Sequence, residues 1–150
     1  MRFTLIMSLF FTLFIEHTQA QTVEIKNQDV FINGKNVLKF EKINLGQSSF
    51  FTLDHKEVLF YKLHDNGTSE YSGDDYMSLN FIQEKVKVET TDVSRIVAPG
   101  MRKSMQKLIK WLVKDEVMNT DGTINSDKLA IFLQKYNEDI ISKQHYHQHH

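Results

Sequence analysis

The chain has 150 residues, of which 41% are hydrophobic and 25% are charged, and its formal net charge is −1 at pH 7. This length fits one ordinary domain with its own core, and the near-neutral charge excludes a general attraction to nucleic acid or to an anionic membrane. The sequence contains no cysteine, which excludes disulfide exchange, thiol catalysis and lipid attachment to a cysteine.

The N-terminal segment has the layout of a secretory signal peptide. Arg2 provides a positive start, residues 3–15 form an apolar run, and a polar stretch ends at the small residue Ala20. This pattern predicts that residues 1–20 are a signal peptide, cleaved between Ala20 and Gln21. The run is shorter than the roughly 20 apolar residues that a transmembrane helix needs. We expect a secreted or periplasmic protein, and the missing cysteines favour a bacterial host.

The mature chain begins with hairpin patterns. Asn33-Gly34 is the dipeptide that a two-residue type I′ turn prefers, and it predicts a hairpin over residues 28–43. The turn also fixes a register, which pairs Ile32 with Lys35, Val30 with Val37, Gln28 with Lys39 and Lys26 with Glu41.

Two further hairpins are predicted from alternating apolar residues. The first joins residues 49–53 to 57–63 around the turn at 54–56. The second joins residues 76–82 to 85–89. A tight turn in the second hairpin places Phe81 opposite Val86 and Leu79 opposite Val88.

The spacing becomes helical after Thr91. Asp92 begins a short helical turn, which Pro99-Gly100 interrupts. A longer amphipathic helix is predicted over Met101 to Lys114. Asn125 or Ser126 can cap a last helix. The apolar repeat of that helix is Leu129, Phe132, Leu133, Tyr136 and Ile140.

This order of elements predicts an α+β fold, namely an antiparallel β-meander of five to six strands followed by two amphipathic helices packed on the sheet. Residues 21–141 form the single domain of this prediction. Residues 142–150 form a flexible, histidine-rich tail.

The first candidate site is the basic face of the long helix. It consists of Arg102, Lys103, Lys107, Lys110 and Lys114. Five cations on one helix can bind anionic lipid head groups or an acidic partner. The alternative is the ordinary solvent-facing side of a helix that packs on a core.

The second candidate is the tail, with imidazoles at His145, His147, His149 and His150. Neutral imidazole binds Zn²⁺, Cu²⁺ or Ni²⁺, so weak binding of one of these ions is the only cofactor interaction that we expect. The alternative is a solvated terminus.

Two loops have oxygen-rich sequences. Residues 117–128 resemble an EF-hand loop at Asn119, Asp121 and Gly122, but Val117 and Lys128 occupy the end positions that need carboxylates. A helix–turn–helix connection is therefore the favoured interpretation. Residues 65–75 hold four carboxylates and can bind calcium or form a plain polar loop. This loop also contains the glycosylation sequon Asn66-Gly67-Thr68, which matters only in a eukaryotic host.

Catalytic motifs are absent from the sequence, and His55 and His64 are the only histidines in the predicted sheet. The signal peptide and residues 33–40, 57–66 and 111–136 resemble small uncharacterised secreted proteins of Bacteroidota-type bacteria. That resemblance implies no activity.

We expect an exported, non-catalytic binding or structural module of the bacterial envelope or extracellular space. Its partner would be a protein or envelope component, bound through a face or edge of the sheet. We expect no nucleic-acid partner, and no transmembrane segment after signal cleavage. The alternatives are a metal-binding protein that acts through its tail, and a hydrolase with a dispersed site.

Overall fold

Seven strands form one antiparallel sheet in chain order in the computed structural model, which describes residues 20–65 and 74–142. The strands are β1 (Val23–Lys26), β2 (Asp29–Ile32), β3 (Lys35–Asn44), β4 (Gln47–Phe51), β5 (Glu57–His64), β6 (Tyr76–Phe81) and β7 (Val86–Thr90). A 3₁₀ helix (Val93–Ile96), α1 (Met101–Lys114) and α2 (Ser126–Tyr136) follow. The α+β class and the meander with two helices packed on it are confirmed, with seven strands rather than five to six.

The additional strand comes from a turn at Asn27 that the sequence pattern does not mark. Asn27 adopts a left-handed conformation with φ 55°, which asparagine tolerates better than most residues. The chain therefore reverses at Asn27-Gln28, and Lys26 pairs with Asp29. The predicted pairing of Lys26 with Glu41 is wrong.

A β-bulge corrects the rest of the first predicted register. The pairing of Ile32 with Lys35 is confirmed, but the register shifts between Val30 and Phe31. Val30 consequently faces Leu38 rather than Val37, because a bulge inserts one unpaired residue into the ladder. Asp29, and not Gln28, faces Lys39, and their side chains form an ion pair.

The second and third hairpins are confirmed. β4 pairs with β5 across residues 52–56. In the third hairpin Phe81 lies opposite Val86 and Leu79 lies opposite Val88, as predicted. The large apolar side chains of β6, Met77, Leu79 and Phe81, are buried at alternate positions, which fixes the register because a one-residue slip would turn all three away from the core.

The core lies between the sheet and the two helices. From the sheet it includes Val23, Ile25, Val30, Ile32, Leu38, Phe40, Phe50, Leu59, Tyr61, Met77, Leu79, Phe81 and Val88. From the helices it includes Met105, Leu108, Ile109, Trp111, Leu112, Leu129 and Phe132. α1 contacts β1 at one edge of the sheet and α2 contacts β7 at the other, so the helical layer reaches from one edge to the other.

Both edge strands have backbone groups that are bonded by the helical layer. The Ile25 N–H in β1 donates to the Gln106 side chain of α1 at 3.0 Å. In β7, the Glu89 N–H donates to the Asn137 side chain at 2.8 Å, and the Glu89 carbonyl accepts from the Glu138 N–H at 2.8 Å. An edge strand whose polar groups are occupied is a poor template for an added strand.

The helix boundaries follow from local signals. α1 begins after Gly100, whose φ of 92° turns the chain out of the preceding extended segment. It ends where Glu116 adopts φ 62° and donates its N–H to the Val113 carbonyl. α2 begins at the predicted cap, where the Asn125 side chain accepts the Lys128 N–H at 3.1 Å. Within residues 20–65 and 74–142, neither helix combines the length and apolar character that a membrane span requires.

An arginine joins the three helical elements. The Arg95 guanidinium lies 4.7 Å from the ring centroid of Trp111 in α1 and 5.1 Å from that of Tyr136 in α2. It also pairs with the Asp92 carboxylate at 2.8 Å. The two aromatic rings are themselves in edge contact at 4.9 Å, so this cluster holds α1 and α2 together beside the 3₁₀ helix.

Candidate functional site: the lysine face of α1

The five predicted cations of α1 are all exposed. At 100° per residue, four of them fall within about 60° of arc and extend over about 17 Å of helix. We call these four residues, Lys103, Lys107, Lys110 and Lys114, the lysine face. Arg102 lies to one side of this face. The opposite side of α1 is fully occupied by the core.

The lysine face does not stabilise the helix that bears it. Successive members are three or four residues apart, and each such like-charge pair destabilises a helix by about 0.2–0.5 kcal/mol. Arg102 and Lys103 also lie in the first turn, where the helix dipole favours a negative charge. α1 contains no Asp or Glu to offset these effects. Helix stability therefore does not explain why the lysines are placed there.

The other described cations of the protein fall into two groups. Six form ion pairs with carboxylates, namely Lys26, Lys39, Lys56, Lys87, Arg95 and Lys128. Among the described residues, Lys35, Lys42, Lys62, Lys85 and Lys135 form no such pair, but they are not arranged in one row along a helix. Within the described part of the chain, no carboxylate pairs with Arg102 or with any member of the lysine face. The Lys107 ammonium donates instead to the Val97 carbonyl at 2.6 Å. Among the described residues, the lysine face is thus a row of positive charges without an ion-pair partner, although Asp115 and Glu116 follow directly after Lys114.

A groove adjoins the C-terminal end of the lysine face. It has a volume of about 250 Å³ and is lined by Lys114, Asp115, Glu116, Lys128, Ile131, Phe132 and Lys135. Ile131 is 57% exposed, whereas Phe132 is buried. The groove does not follow from the predicted elements, although Ile131 is an apolar residue that falls outside the apolar repeat of α2 and indicates an exposed apolar surface.

Charges of both signs line the groove. The Lys128 ammonium lies 2.7 Å from the Glu116 carboxylate, and its hydrogen bond to Glu116 raises the pKa of Lys128. The pKa of Lys135 is also raised, first by a hydrogen bond to Tyr136 and further by the Tyr136 and Asp115 charges. Both lysines are therefore cationic at neutral pH.

The connection from α1 to α2 supports the helix–turn–helix interpretation of residues 117–128. The Asp121 carboxylate accepts the Thr123 N–H at 3.0 Å and the Thr123 hydroxyl at 2.5 Å, and these bonds lower the pKa of Asp121. Asn125 caps α2, and Lys128 pairs with Glu116. The oxygens that an EF-hand would direct at calcium are used within the turn itself.

The two histidines of the sheet region differ in their surroundings. His55 is exposed in the turn between β4 and β5 with φ 65°. His64 ends β5, stacks on Tyr76 with ring centroids 4.2 Å apart, and brings Nε2 to 3.0 Å from the Ser78 hydroxyl. Burial lowers the pKa of His64, and the Lys62 charge lowers it further. The sequence alone did not bring His64 and Ser78 together, because that contact depends on strand register.

A serine beside a histidine also occurs in hydrolases, where it is the nucleophile. Here Ser78 lies in the middle of β6, paired on both sides by neighbouring strands. The surrounding backbone N–H groups belong to the sheet ladder and cannot form an oxyanion hole. Among the described residues, no carboxylate bonds to the second nitrogen of His64. The pair gives the hydrolase hypothesis no further support.

Several predicted sites lie outside the described residues. They are the signal peptide up to residue 19, the sequon and most of the acidic loop at residues 66–73, and the tail histidines at His145, His147, His149 and His150. Within the part of the chain that is described, no three His, Asp or Glu side chains are grouped as a metal ion would need. Comparison with protein-family models, with curated proteins and with solved structures found no match.

Proposed function

We propose that the protein is an exported, non-catalytic binding module whose lysine face binds an acidic partner. The observation that supports this most strongly is the row of Lys103, Lys107, Lys110 and Lys114. These residues repel one another along α1 and have no carboxylate partners among the described residues. An external anion would relieve that repulsion. If this side of α1 only faces solvent, there is no reason for four lysines to lie in one row.

Two other surfaces are less suited to binding. Edge addition to the sheet is disfavoured because Gln106 and the segment after α2 already bond to β1 and β7. On the helix-free face of the sheet, Lys and Glu side chains alternate with half-buried Phe51 and Phe60. That face has no dominant charge and favours no particular class of ligand.

The proposal is tested by measuring the affinity for a fluorescein-labelled, glutamate-rich peptide by anisotropy at low salt. Replacing Lys103 and Lys110 by glutamine removes two contacts of about 0.2–1 kcal/mol each, which weakens binding about fivefold. The matched control replaces Lys56 and Lys87 by glutamine; both are exposed lysines that pair with neighbouring carboxylates. This control variant removes the same net charge, and its affinity should stay within about twofold of that of the unchanged protein. Equal losses in both variants would mean that only the overall charge matters, and no loss in either would refute the proposal.

Export is part of the same proposal. The apolar run at residues 3–15 and the small residue Ala20 support cleavage of a leader in a secreted or periplasmic bacterial protein. The resemblance to Bacteroidota-type secreted proteins supports the same compartment. N-terminal sequencing of the protein from its host should begin at Gln21. Recovery of the intact N-terminus from the cytosol would refute export.

A second candidate function is metal binding by the tail. Four imidazoles within six residues can surround one Zn²⁺, Cu²⁺ or Ni²⁺ ion. We expect a modest affinity, because imidazoles in a short polar terminus bind a metal ion less tightly than rings that neighbouring groups orient. This candidate and the lysine face involve different parts of the chain, so each can be removed without the other.

A further inference from the structure

We propose that the partner is an acidic polypeptide, and that the groove beside Ile131 receives an apolar side chain next to its acidic stretch. This inference rests on the proposed function, since it assumes that carboxylates lie along the lysine face. It adds the class of the partner and the place where the acidic stretch ends. Lys114 belongs to both surfaces, so a single segment can occupy them together.

The composition of the groove favours a polypeptide over a lipid surface. Asp115 and Glu116 lie among the three lysines, and a sheet of anionic head groups offers these carboxylates no hydrogen-bond donors. A polypeptide brings backbone N–H donors for such carboxylates together with its own acidic side chains. In addition, α1 cannot insert into a bilayer as an interfacial helix does, because its apolar side is already buried in the core.

The spacing of the lysine face fits an extended acidic segment. Its members follow each other by about 4.5–6 Å along the helix axis. Alternate side chains of an extended chain lie on one side and are about 6.6 Å apart. About five or six residues of an extended segment with a carboxylate at every second position therefore cover the distance from Lys103 to Lys114. The next side chain on the side of the segment that faces the protein then reaches the groove.

The groove offers an apolar contact surface at one defined place, beside Ile131. The exposed Ile131 and the buried Phe132 both line the groove. Leu45 and Ile141 are also exposed, at 84% and 71%, but neither lines this groove. An apolar side chain seated against Ile131 would be partly removed from water, which corresponds to about a tenfold gain in affinity.

Four blocked peptides test the inference by fluorescence anisotropy. One has the sequence Glu-Ser-Glu-Ser-Glu-Ser-Leu, the second is its reverse, and the other two have Ser in place of Leu. For the intact protein, one of the two Leu peptides should bind about tenfold more tightly than its Ser counterpart. In Ile131→Ser this advantage should fall to about twofold or less. In the matched control Ile141→Ser it should persist.

The outcomes separate the two proposals. If all four peptides bind through the lysine face but Leu gives no advantage in either orientation, the groove inference is refuted and the proposed function stands. If no peptide binds, both are refuted. Vesicles of phosphatidylglycerol and phosphatidylcholine provide the lipid comparison. Tight vesicle binding that depends on Lys103 and Lys110, without tight peptide binding, would identify a membrane surface and overturn the polypeptide partner.

Discussion

The turn between α1 and α2 offers a quantitative test of how the helical layer packs on the sheet. Gly122 has φ 85°, and a Cβ added there would lie 3.1 Å from the Leu38 side chain and 3.2 Å from the Val37 carbonyl oxygen. Gly34 has φ 79°, but an added Cβ would meet nothing within 4 Å. The two glycines share the backbone strain and differ in the contact, so their alanine variants form a matched pair.

Backbone strain alone predicts that Gly34→Ala destabilises the protein by about 1–2 kcal/mol, because alanine disfavours the left-handed region. Gly122→Ala has the same strain and forces extra atoms against a buried part of β3, which adds about 1–3 kcal/mol. Urea unfolding gives both values. The signal is the fluorescence of Trp111, which is the single tryptophan and is buried. If Gly122→Ala destabilises no more than Gly34→Ala, the turn does not pack on β3 as described.

Three further predictions concern separate parts of the chain. In an NMR titration the His64 ring should have a pKa below its usual 6.5, because burial and then the Lys62 charge disfavour the protonated ring. The contribution of His64 to stability is therefore complete above pH 6.5 and declines as the pH falls. A titration midpoint at or above 6.5 would be inconsistent with this environment. Lys110→Glu should raise the free energy of unfolding by about 1 kcal/mol, since two like-charge neighbours become opposite-charge ones, and a loss of stability would contradict the repulsion argument. Deletion of residues 144–150 should abolish retention on a Ni²⁺ resin, and unchanged retention would exclude the tail as the metal site.

Local signals in the sequence were sufficient for α1, for the start of α2 and for most of the sheet. The predicted repeat of the last helix was wrong at Ile140, because α2 ends at Tyr136 and Asn137 is extended. α1 has the predicted bounds because Pro99-Gly100 interrupts the chain before it and its apolar spacing is strong. The Asn125 cap was likewise readable, since its side chain acts within its own turn. The seventh strand was missed because the turn at Asn27-Gln28 lacks the glycine that usually marks a tight turn. The bulge between Val30 and Phe31 was also missed, because a bulge depends on how two strands pair and not on a local sequence signal.

The candidate site was predictable only in part. The exposed cations of α1 followed from helical periodicity, because one side of the helix is apolar and the other is charged. The groove at Ile131 was not predictable, since residues at the end of α1 and residues of α2 line it together. The bonds from Gln106 and Asn137 to the sheet edges were also missed. Such contacts join residues far apart in sequence and require the three-dimensional arrangement.

The central claim is that α1 presents a binding surface, and a two-dimensional ¹H–¹⁵N NMR titration with the glutamate-rich peptide tests it most directly. We expect concentration-dependent shifts of the backbone amides of residues 103–114, together with those of residues 128–135 when the peptide ends in leucine. The amides of β4 and β5 should remain unchanged. Shifts confined to the sheet, or no shifts at a large excess of peptide, would contradict the claim.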